Sequence, residues 1–182
     1  MTLLETRLSG IKLFELRAFG DDRGWFSETF QRERYREAGL EMEIVQSNVS
    51  VSNRKGVLRG LHAQMPSPQG KLVSVLRGAV WDVVVDIRRD SPDFGQWEGF
   101  ELTAANHRQL WVPPGFLHGF LVCKRGTVFS YHVTAPYDPN GDFAVRWDDP
   151  DIGIEWPLEG EPLLSSKDKV APLLADLPEH RY

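Results

Sequence analysis

LVSVLRGAVWDVVVDI, residues 72–87, contains two strands separated by a turn, and this pattern decides the fold class. The runs 72–76 and 80–87 are short and rich in valine, and Arg77-Gly78 between them is typical of a turn. Period-two alternation in the second run gives one apolar face, formed by Trp81, Val83, Val85 and Ile87. The other face carries Asp82 and Asp86, which predicts that it is wet or lines a site.

The same alternation of short strands and turn residues continues outward along the chain. Further strands are predicted at 97–103, 109–112, 116–122 and 127–134. Only residues 30–38 (FQRERYREA) have the character of a helix, which Gly39 would end, and we interpret its charges as a solvated face. Many short strands with a few short helices predict a mainly β protein, an antiparallel jelly-roll sandwich or barrel.

Length and composition predict a single globular domain spanning residues 1–182. The net charge of -5 argues against nucleic acid or an anionic membrane as a partner, although a local pocket can still bind a small anion. The single cysteine, Cys123, is expected to be a small core residue in a reducing compartment. No run is long enough to cross a membrane and Glu5 interrupts the N-terminus, so the expected location is cytoplasmic.

The histidine in GVLRGLHAQ, residues 56–64, raises the question of function. A lone histidine in an apolar stretch is most often structural, but a second histidine follows a tight turn in PPGFLH, residues 113–118. The two pieces resemble the two motifs of the cupin superfamily, a jelly-roll barrel. Metal-binding cupins have a second histidine and an acidic ligand where this chain has Gln64 and Lys71. Because an ammonium group repels a divalent cation, no metal is expected.

Lys71 offers a substitute for the metal. A lysine on a strand is most often exposed, but inside a dry barrel its ammonium group would stabilise an oxyanion as a metal does. His62 would then be a candidate base, placed to remove a proton beside the carbonyl group. The residues thus predict proton transfer next to a carbonyl group.

Motifs along most of the chain, from about Phe19 to Leu174, make the resemblance more specific. They are DDRGWFSETF (21–30), VQSNVS (45–50), GVLRGLH (56–62), QGKLV (69–73), LRGAVWDVVVDIRRDSPDFG (76–95), RQLWVPPGFLHGF (108–120), RWDDPDIGIEWP (146–157) and LLSSKD (163–168). In this order they resemble the dTDP-4-dehydrorhamnose 3,5-epimerase family, which consists of metal-free cupins. The resemblance implies epimerisation at C3 and C5 of a nucleotide-linked 4-keto sugar, without a cofactor.

The resemblance also implies roles for individual residues. His62 would be the base, Asp168 its partner, Lys71 the group against the ketone oxygen and Tyr131 the proton donor on the opposite face of the sugar. Further positions match ligand contacts of the family: Arg23, Phe26, Glu28, Gln46, Ser47, Asn48, Arg59, His118, Asp142 and Lys167. In the family, the residues at the positions of Arg23 and Phe26 come from the second subunit, so residues 1–30 are expected to be exchanged in a homodimer. The tail, residues 148–182, is expected to pack on the barrel.

Three departures from the family pattern leave alternatives open. Ala63 replaces an aromatic residue, His132 replaces a lysine, and Asp142 replaces a longer glutamate. These changes allow an epimerase that inverts only C3 or only C5. Two other functional classes remain as alternatives. One is a metal-dependent cupin, against which Gln64 and Lys71 argue, and the other is a non-enzymatic cupin that binds a sugar nucleotide. Such a binding protein would not need His62, Lys71 and Tyr131 together.

Overall fold

A computed structural model of the chain describes residues 1–178, and its strands form two large antiparallel sheets and a small hairpin. The described strands are β1 (Thr2–Leu4), β2 (Lys12–Glu15), β3 (Ala18–Asp21), β4 (Gly24–Ser27), β5 (Gln46–Ser52), β6 (Leu58–Gln64), β7 (Lys71–Arg77), β8 (Ala79–Asp86), β9 (Trp97–Thr103), β10 (Arg108–Val112), β11 (Phe116–Val122), β12 (Thr127–Val133) and β13 (Asp142–Ala144). The predicted strands are confirmed to within two residues at either end.

The two sheets pack face to face with the main core between them. One sheet has six strands in the order β1-β2-β10-β7-β12-β5, and the other has five in the order β13-β6-β11-β8-β9. Apolar side chains from both sheets meet between them, for example Val73 of β7, Val84 of β8 and Phe129 of β12. The prediction of a mainly β jelly-roll barrel is therefore confirmed.

Both faces of β8 are buried, which corrects one expectation from the sequence. Val83 and Val85 point outward, where Ile152 and Leu174 from the C-terminal part of the chain cover them. Asp82 and Asp86 on the other face are 0% exposed, so this face is not wet, and only the alternative prediction, that it lines a site, remains. The sequence distinguished the two faces correctly, but both are buried because the C-terminal part of the chain also covers the outer one.

Helical structure is limited to one short α-helix and two 3₁₀ turns within the described residues. The helix α1 spans Arg32–Glu37, shorter than predicted at both ends, and Gly39 follows it with a φ of 74°. Tyr35 is its buried residue, packed edge-on against Phe14 of β2 at 5.1 Å between ring centres. None of these helices is long and apolar enough to cross a membrane.

The two ends of the chain are arranged differently. The β3–β4 hairpin forms its own two-stranded sheet, and Trp25 and Phe26 on it are 57% and 70% exposed. The C-terminal part instead lies on the five-stranded sheet, where the buried Asp149 carboxylate accepts hydrogen bonds from the backbone N–H groups of Asp151 and Leu174. Of the tail 148–182 expected to pack on the barrel, residues 179–182 lie outside the described residues. Cys123 is only partly buried, at the edge of the core rather than within it.

Candidate active site

Two adjoining cavities open between the sheets, and three side chains line both of them: His62, Lys71 and Tyr131. The arginine cavity, of about 280 Å³, is further lined by Ser50, Arg59, His118, Gly119, Phe120, Phe129, Ser165 and Asp168. The glutamine cavity, of about 290 Å³, is further lined by Gln46, Asn48, Ala63, Gln64, Gln69, Tyr137 and Asp142. The three shared residues therefore lie where the cavities meet.

The shared residues come from opposite walls. His62 lies on β6 of the five-stranded sheet, whereas Lys71 and Tyr131 lie on β7 and β12 of the six-stranded sheet. A flat ring held between the sheets would present one face to His62 and the other to Tyr131. The arrangement is suited to removing a proton from one side and returning it from the other.

An irregularity in β6 brings Arg59 and His62 into the same cavity. Residues three apart in a regular strand point to opposite faces, but the pairing of β6 with β11 shifts between His118 and Phe120. Gly60 lies at this shift with a φ of 111°, and a Cβ atom there would be 2.6 Å from the Gly119 Cα atom. Only glycine fits this position, because a side chain would meet backbone.

His62 is held by Asp168, which is nearly inaccessible. The His62 Nε2 atom is 2.6 Å from Asp168 Oδ1, and the Ser165 hydroxyl donates to Asp168 Oδ2 at 2.8 Å. Burial opposes ionisation, but the hydrogen bonds of His62 and Ser165 together hold the pKa of the Asp168 carboxyl below its usual 3.8. An ionised carboxylate on Nε2 accepts its proton and leaves Nδ1 free to act as a base.

Lys71 is a buried cation between the two cavities. The residue is only 9% exposed. Burial lowers the pKa of the ammonium group from 10.5 to about 8, and the negative charge of Asp142 opposes this effect. Lys71 is therefore charged at neutral pH but poorly solvated, a state in which it interacts strongly with a developing oxyanion.

His118 lines the arginine cavity and is fixed by Asp82, which lies on the face of β8 that the sequence predicted to be wet or to line a site. Its Nε2 atom lies 2.9 and 3.0 Å from the two carboxylate oxygens of Asp82. Burial raises the pKa of the Asp82 carboxyl, and the neighbouring His118 counteracts the rise. The remaining ring nitrogen can then face a ligand beside Arg59.

Several residues expected at the site lie elsewhere in this chain. Ser47 is on the outer face of β5, where its hydroxyl is 2.7 Å from His132 Nδ1. Arg23 and Phe26 lie on the exposed β3–β4 hairpin, and Glu28 forms an ion pair with Arg34 at 2.9 Å. None of these four expected residues lines either cavity of the described chain.

Asp142 and Lys167 are brought together at the rim of the glutamine cavity. The Lys167 ammonium group donates a hydrogen bond to Asp142 Oδ2, which also accepts one from the Tyr137 hydroxyl at 3.3 Å. Lys167 directly precedes Asp168, so this contact connects the rim to the residue that holds His62. In the described part of the chain, no group of three or more His, Cys, Asp or Glu residues could hold a metal ion.

Some lining residues were missed by sequence reasoning although the sequence contained a signal for them. Ser50 follows Gln46 and Asn48 on the same face of β5, so alternation alone could have identified it. Its buried hydroxyl has no hydrogen-bond partner among the described residues. Tyr137 and Gln69 lie in irregular chain outside the strands, where no periodicity indicates direction.

Comparison with known proteins gives matches that extend over nearly the whole chain. The profile of the family described as dTDP-4-dehydrorhamnose 3,5-epimerase matches residues 5–176. The dTDP-4-dehydrorhamnose 3,5-epimerase of Sinorhizobium fredii is 48% identical over 172 residues, covering 94% of this chain and 88% of the relative.

Solved structures are similar over a comparable length. The dTDP-6-deoxy-D-glucose-3,5-epimerase of Legionella pneumophila, in complex with dTDP-4-keto-L-rhamnose, has a TM-score of 0.94 and 47% identity, covering 97% of this chain and 94% of its own. A 3'-monoepimerase from Streptomyces bikiniensis, in complex with dTDP-quinovose, has a TM-score of 0.86 and 38% identity, covering 92% and 86%. The same fold therefore occurs in proteins named for two inversions and for one.

Proposed function

Because this chain belongs to the dTDP-4-dehydrorhamnose 3,5-epimerase family, we propose that it converts dTDP-4-dehydro-6-deoxy-D-glucose into dTDP-4-dehydro-L-rhamnose by inverting C3 and C5. One observation carries the proposal: His62 lies on one wall of the site and Lys71 and Tyr131 lie on the other, all three lining both cavities. The reaction serves dTDP-L-rhamnose biosynthesis, and the chain is an isomerase.

The first step is removal of a proton beside the C4 ketone. His62 takes the proton at Nδ1, while Asp168 accepts the Nε2 hydrogen bond and stabilises the imidazolium that forms. The electron pair of the broken C–H bond moves onto the ketone oxygen, giving an enolate. Lys71 stabilises this oxyanion, an interaction typically worth about 2.7–4 kcal/mol for one donor.

The second step returns a proton to the opposite face of the ring. Tyr131 donates its phenolic proton to the carbon, the enolate collapses to the ketone, and the centre is inverted. Exchange with solvent then takes the proton from His62 and returns one to the Tyr131 phenolate, and the same cycle at the second carbon completes the reaction. No electrons are gained or lost overall, so the proposed chemistry requires no redox cofactor.

The arginine cavity suits the nucleotide part of the substrate. Arg59 and His118 provide two donors there, and a guanidinium group fits the oxygens of a pyrophosphate. Gln46, Asn48, Asp142 and Lys167 are proposed to contact the rest of the ligand. Their clustering in or beside the glutamine cavity supports this assignment.

A homodimer is part of the proposal. Arg23, Phe26 and Glu28 line neither of these two cavities in the described part of their own chain, and Phe26 is 70% exposed. We expect residues 1–30 of one protomer to reach the site of the other, with Arg23 near the phosphates and Phe26 near the thymine. The exposed Val49 and Val51 of the edge strand β5 would be covered in the same assembly. Light scattering would test the dimer, and the cytoplasmic location also stays a prediction.

Proton exchange tests the proposed reaction directly. The chelator-treated protein is mixed with dTDP-4-dehydro-6-deoxyglucose in D₂O, and the C3 and C5 positions are followed by NMR. Exchange at both carbons with formation of the L-lyxo product is expected. Exchange at one carbon would identify a single epimerase and direct attention to Ala63 and Asp142. Activity lost on chelation would indicate a metal-dependent cupin, and no exchange at either carbon would favour a binding protein.

A further inference from the structure

The segment 135–138 crosses the rim of the glutamine cavity without belonging to any strand. It connects β12 to β13 and carries Tyr137, which is 56% exposed and lines the cavity. Backbone N–H and C=O groups outside sheets still need partners, and a segment without them would exchange between many conformations. The question is therefore what keeps Tyr137 at the rim.

Three glutamine side chains supply the missing partners, with one hydrogen bond to each of the four residues of the segment. Gln69 donates to the Ala135 carbonyl at 2.8 Å, and Gln64 donates to the Pro136 carbonyl at 3.1 Å. The Tyr137 N–H group donates to Gln46 Oε1 at 3.1 Å, and the Asp138 N–H group donates to Gln64 Oε1 at 2.8 Å.

Gln64 has the central place in this arrangement. It is 4% exposed, and both ends of its amide are used, because its Nε2 atom also donates to the Ser67 carbonyl at 2.7 Å. A side-chain amide has the same donor and acceptor as a peptide group, so Gln64 acts toward residues 136 and 138 as a neighbouring strand would. The last residue of β6 thus fixes two loops at once, two positions after His62.

We propose that Gln64 is a positioning residue for substrate binding, and that Gln46, Gln64 and Gln69 form a glutamine clamp that holds residues 135–138 against the site. The clamp fixes Tyr137 and, through the hydrogen bond from its hydroxyl group, Asp142. His62, Lys71 and Tyr131 lie on strands that are held by backbone pairing with their neighbours, not by the side-chain hydrogen bonds of the clamp. Its loss should therefore weaken binding more than it slows the chemical steps.

The variant Gln64→Met keeps the length of the side chain and removes all three hydrogen bonds. Gln109→Met is its matched control, because Gln109 is also buried, at 2% exposure, and bonds Tyr35 and the Thr29 carbonyl away from both cavities. Two properties are measured on the full-length protein: hydrogen exchange of the Tyr137 and Asp138 amides, and steady-state kinetics with a parallel Kd for dTDP.

In Gln64→Met we expect both amides to exchange at least about tenfold faster and KM to rise about tenfold, the equivalent of one net hydrogen bond. The kcat should stay within about threefold, since the change affects binding rather than the transition state alone. Gln109→Met should not change the exchange of the Tyr137 and Asp138 amides. If Gln64→Met does not fold, Gln69→Met removes a single bond and should give smaller changes in the same direction.

Unchanged exchange in a folded Gln64 variant would overturn the clamp. Faster exchange with unchanged KM and Kd would overturn the positioning role. The kinetic measurements rest on the proposed function, whereas the hydrogen-exchange measurement does not. A wild-type protein that neither binds dTDP nor turns over the sugar would refute the proposed function, and hydrogen exchange would still decide whether the clamp exists.

Discussion

Replacing Lys71 by methionine should make the protein more stable and nearly inactive. The pKa of the folded ammonium group is about 8 rather than 10.5 because it is buried. At about 1.4 kcal/mol per pKa unit, keeping this charge inside the folded protein at pH 7 costs about 3 kcal/mol. Methionine has a similar length and no charge, so Lys71→Met should recover up to about 3 kcal/mol.

The pH dependence of this gain identifies its cause. Between about pH 8 and 10.5 the unfolded chain still holds the proton that folded Lys71 has released, so wild-type stability rises with pH in that window. The advantage of Lys71→Met should therefore be full at pH 7 and shrink toward pH 10.5. The kcat should fall about 10²–10³-fold, because one oxyanion donor is lost.

Urea unfolding at pH 7 and pH 10, followed by tryptophan fluorescence, measures both effects. Lys124→Met is the control, since Lys124 is exposed in the turn between β11 and β12, and its effect should stay within about 0.5 kcal/mol. A Lys71→Met protein less stable than wild type at pH 7 would refute the reasoning. So would an equal advantage at both pH values.

Three further predictions concern the other wall of the site. His62→Ala should lower kcat about 10²–10⁴-fold while the Kd for dTDP, measured by calorimetry, changes little; unchanged turnover would remove His62 from its role. The pKa of the Asp168 carboxyl is lowered in the folded protein, so its contribution to stability is lost as pH falls below 3.8. In urea titrations, wild type should therefore lose more stability than Asp168→Asn between pH 6 and pH 3. Gly60→Ala should lower the free energy of unfolding by more than about 3 kcal/mol, because of backbone strain and the contact with Gly119. Gly56 also has a positive φ but open space around it, so Gly56→Ala should lower it by only about 1–2 kcal/mol, as measured by thermal unfolding.

The strands could be predicted closely because their signals are local. The runs 97–103 and 116–122 coincide with β9 and β11, since alternation and flanking turn residues depend only on near neighbours in sequence. The environment of Asp82 could not be predicted in this way. Whether a strand face meets water or another layer depends on distant chain, here the six-stranded sheet that packs against the inner face, which Asp82 shares with Val80 and Val84.

The same distinction between local signals and contacts of distant residues applies to the site. Family motifs identified His62, Lys71 and Tyr131, but spacing gives no distance between His62 and Asp168, which are 106 residues apart. The entry of Arg59 into the same cavity as His62 depends on the register shift opposite Gly60, which alternation alone predicts wrongly. The partner of His118, Asp82, appeared in the sequence only as one of two acidic residues on a strand.

The placement of Asp168 has a consequence for protein synthesis. Every strand of the barrel, up to Ala144, leaves the ribosome before the residue that orients His62. A nascent chain can thus close its sheets and bury its central core while its base still lacks the carboxylate partner. Under the proposed mechanism, activity requires the C-terminal segment that carries Asp168, so a product terminated before this residue is expected to be inactive.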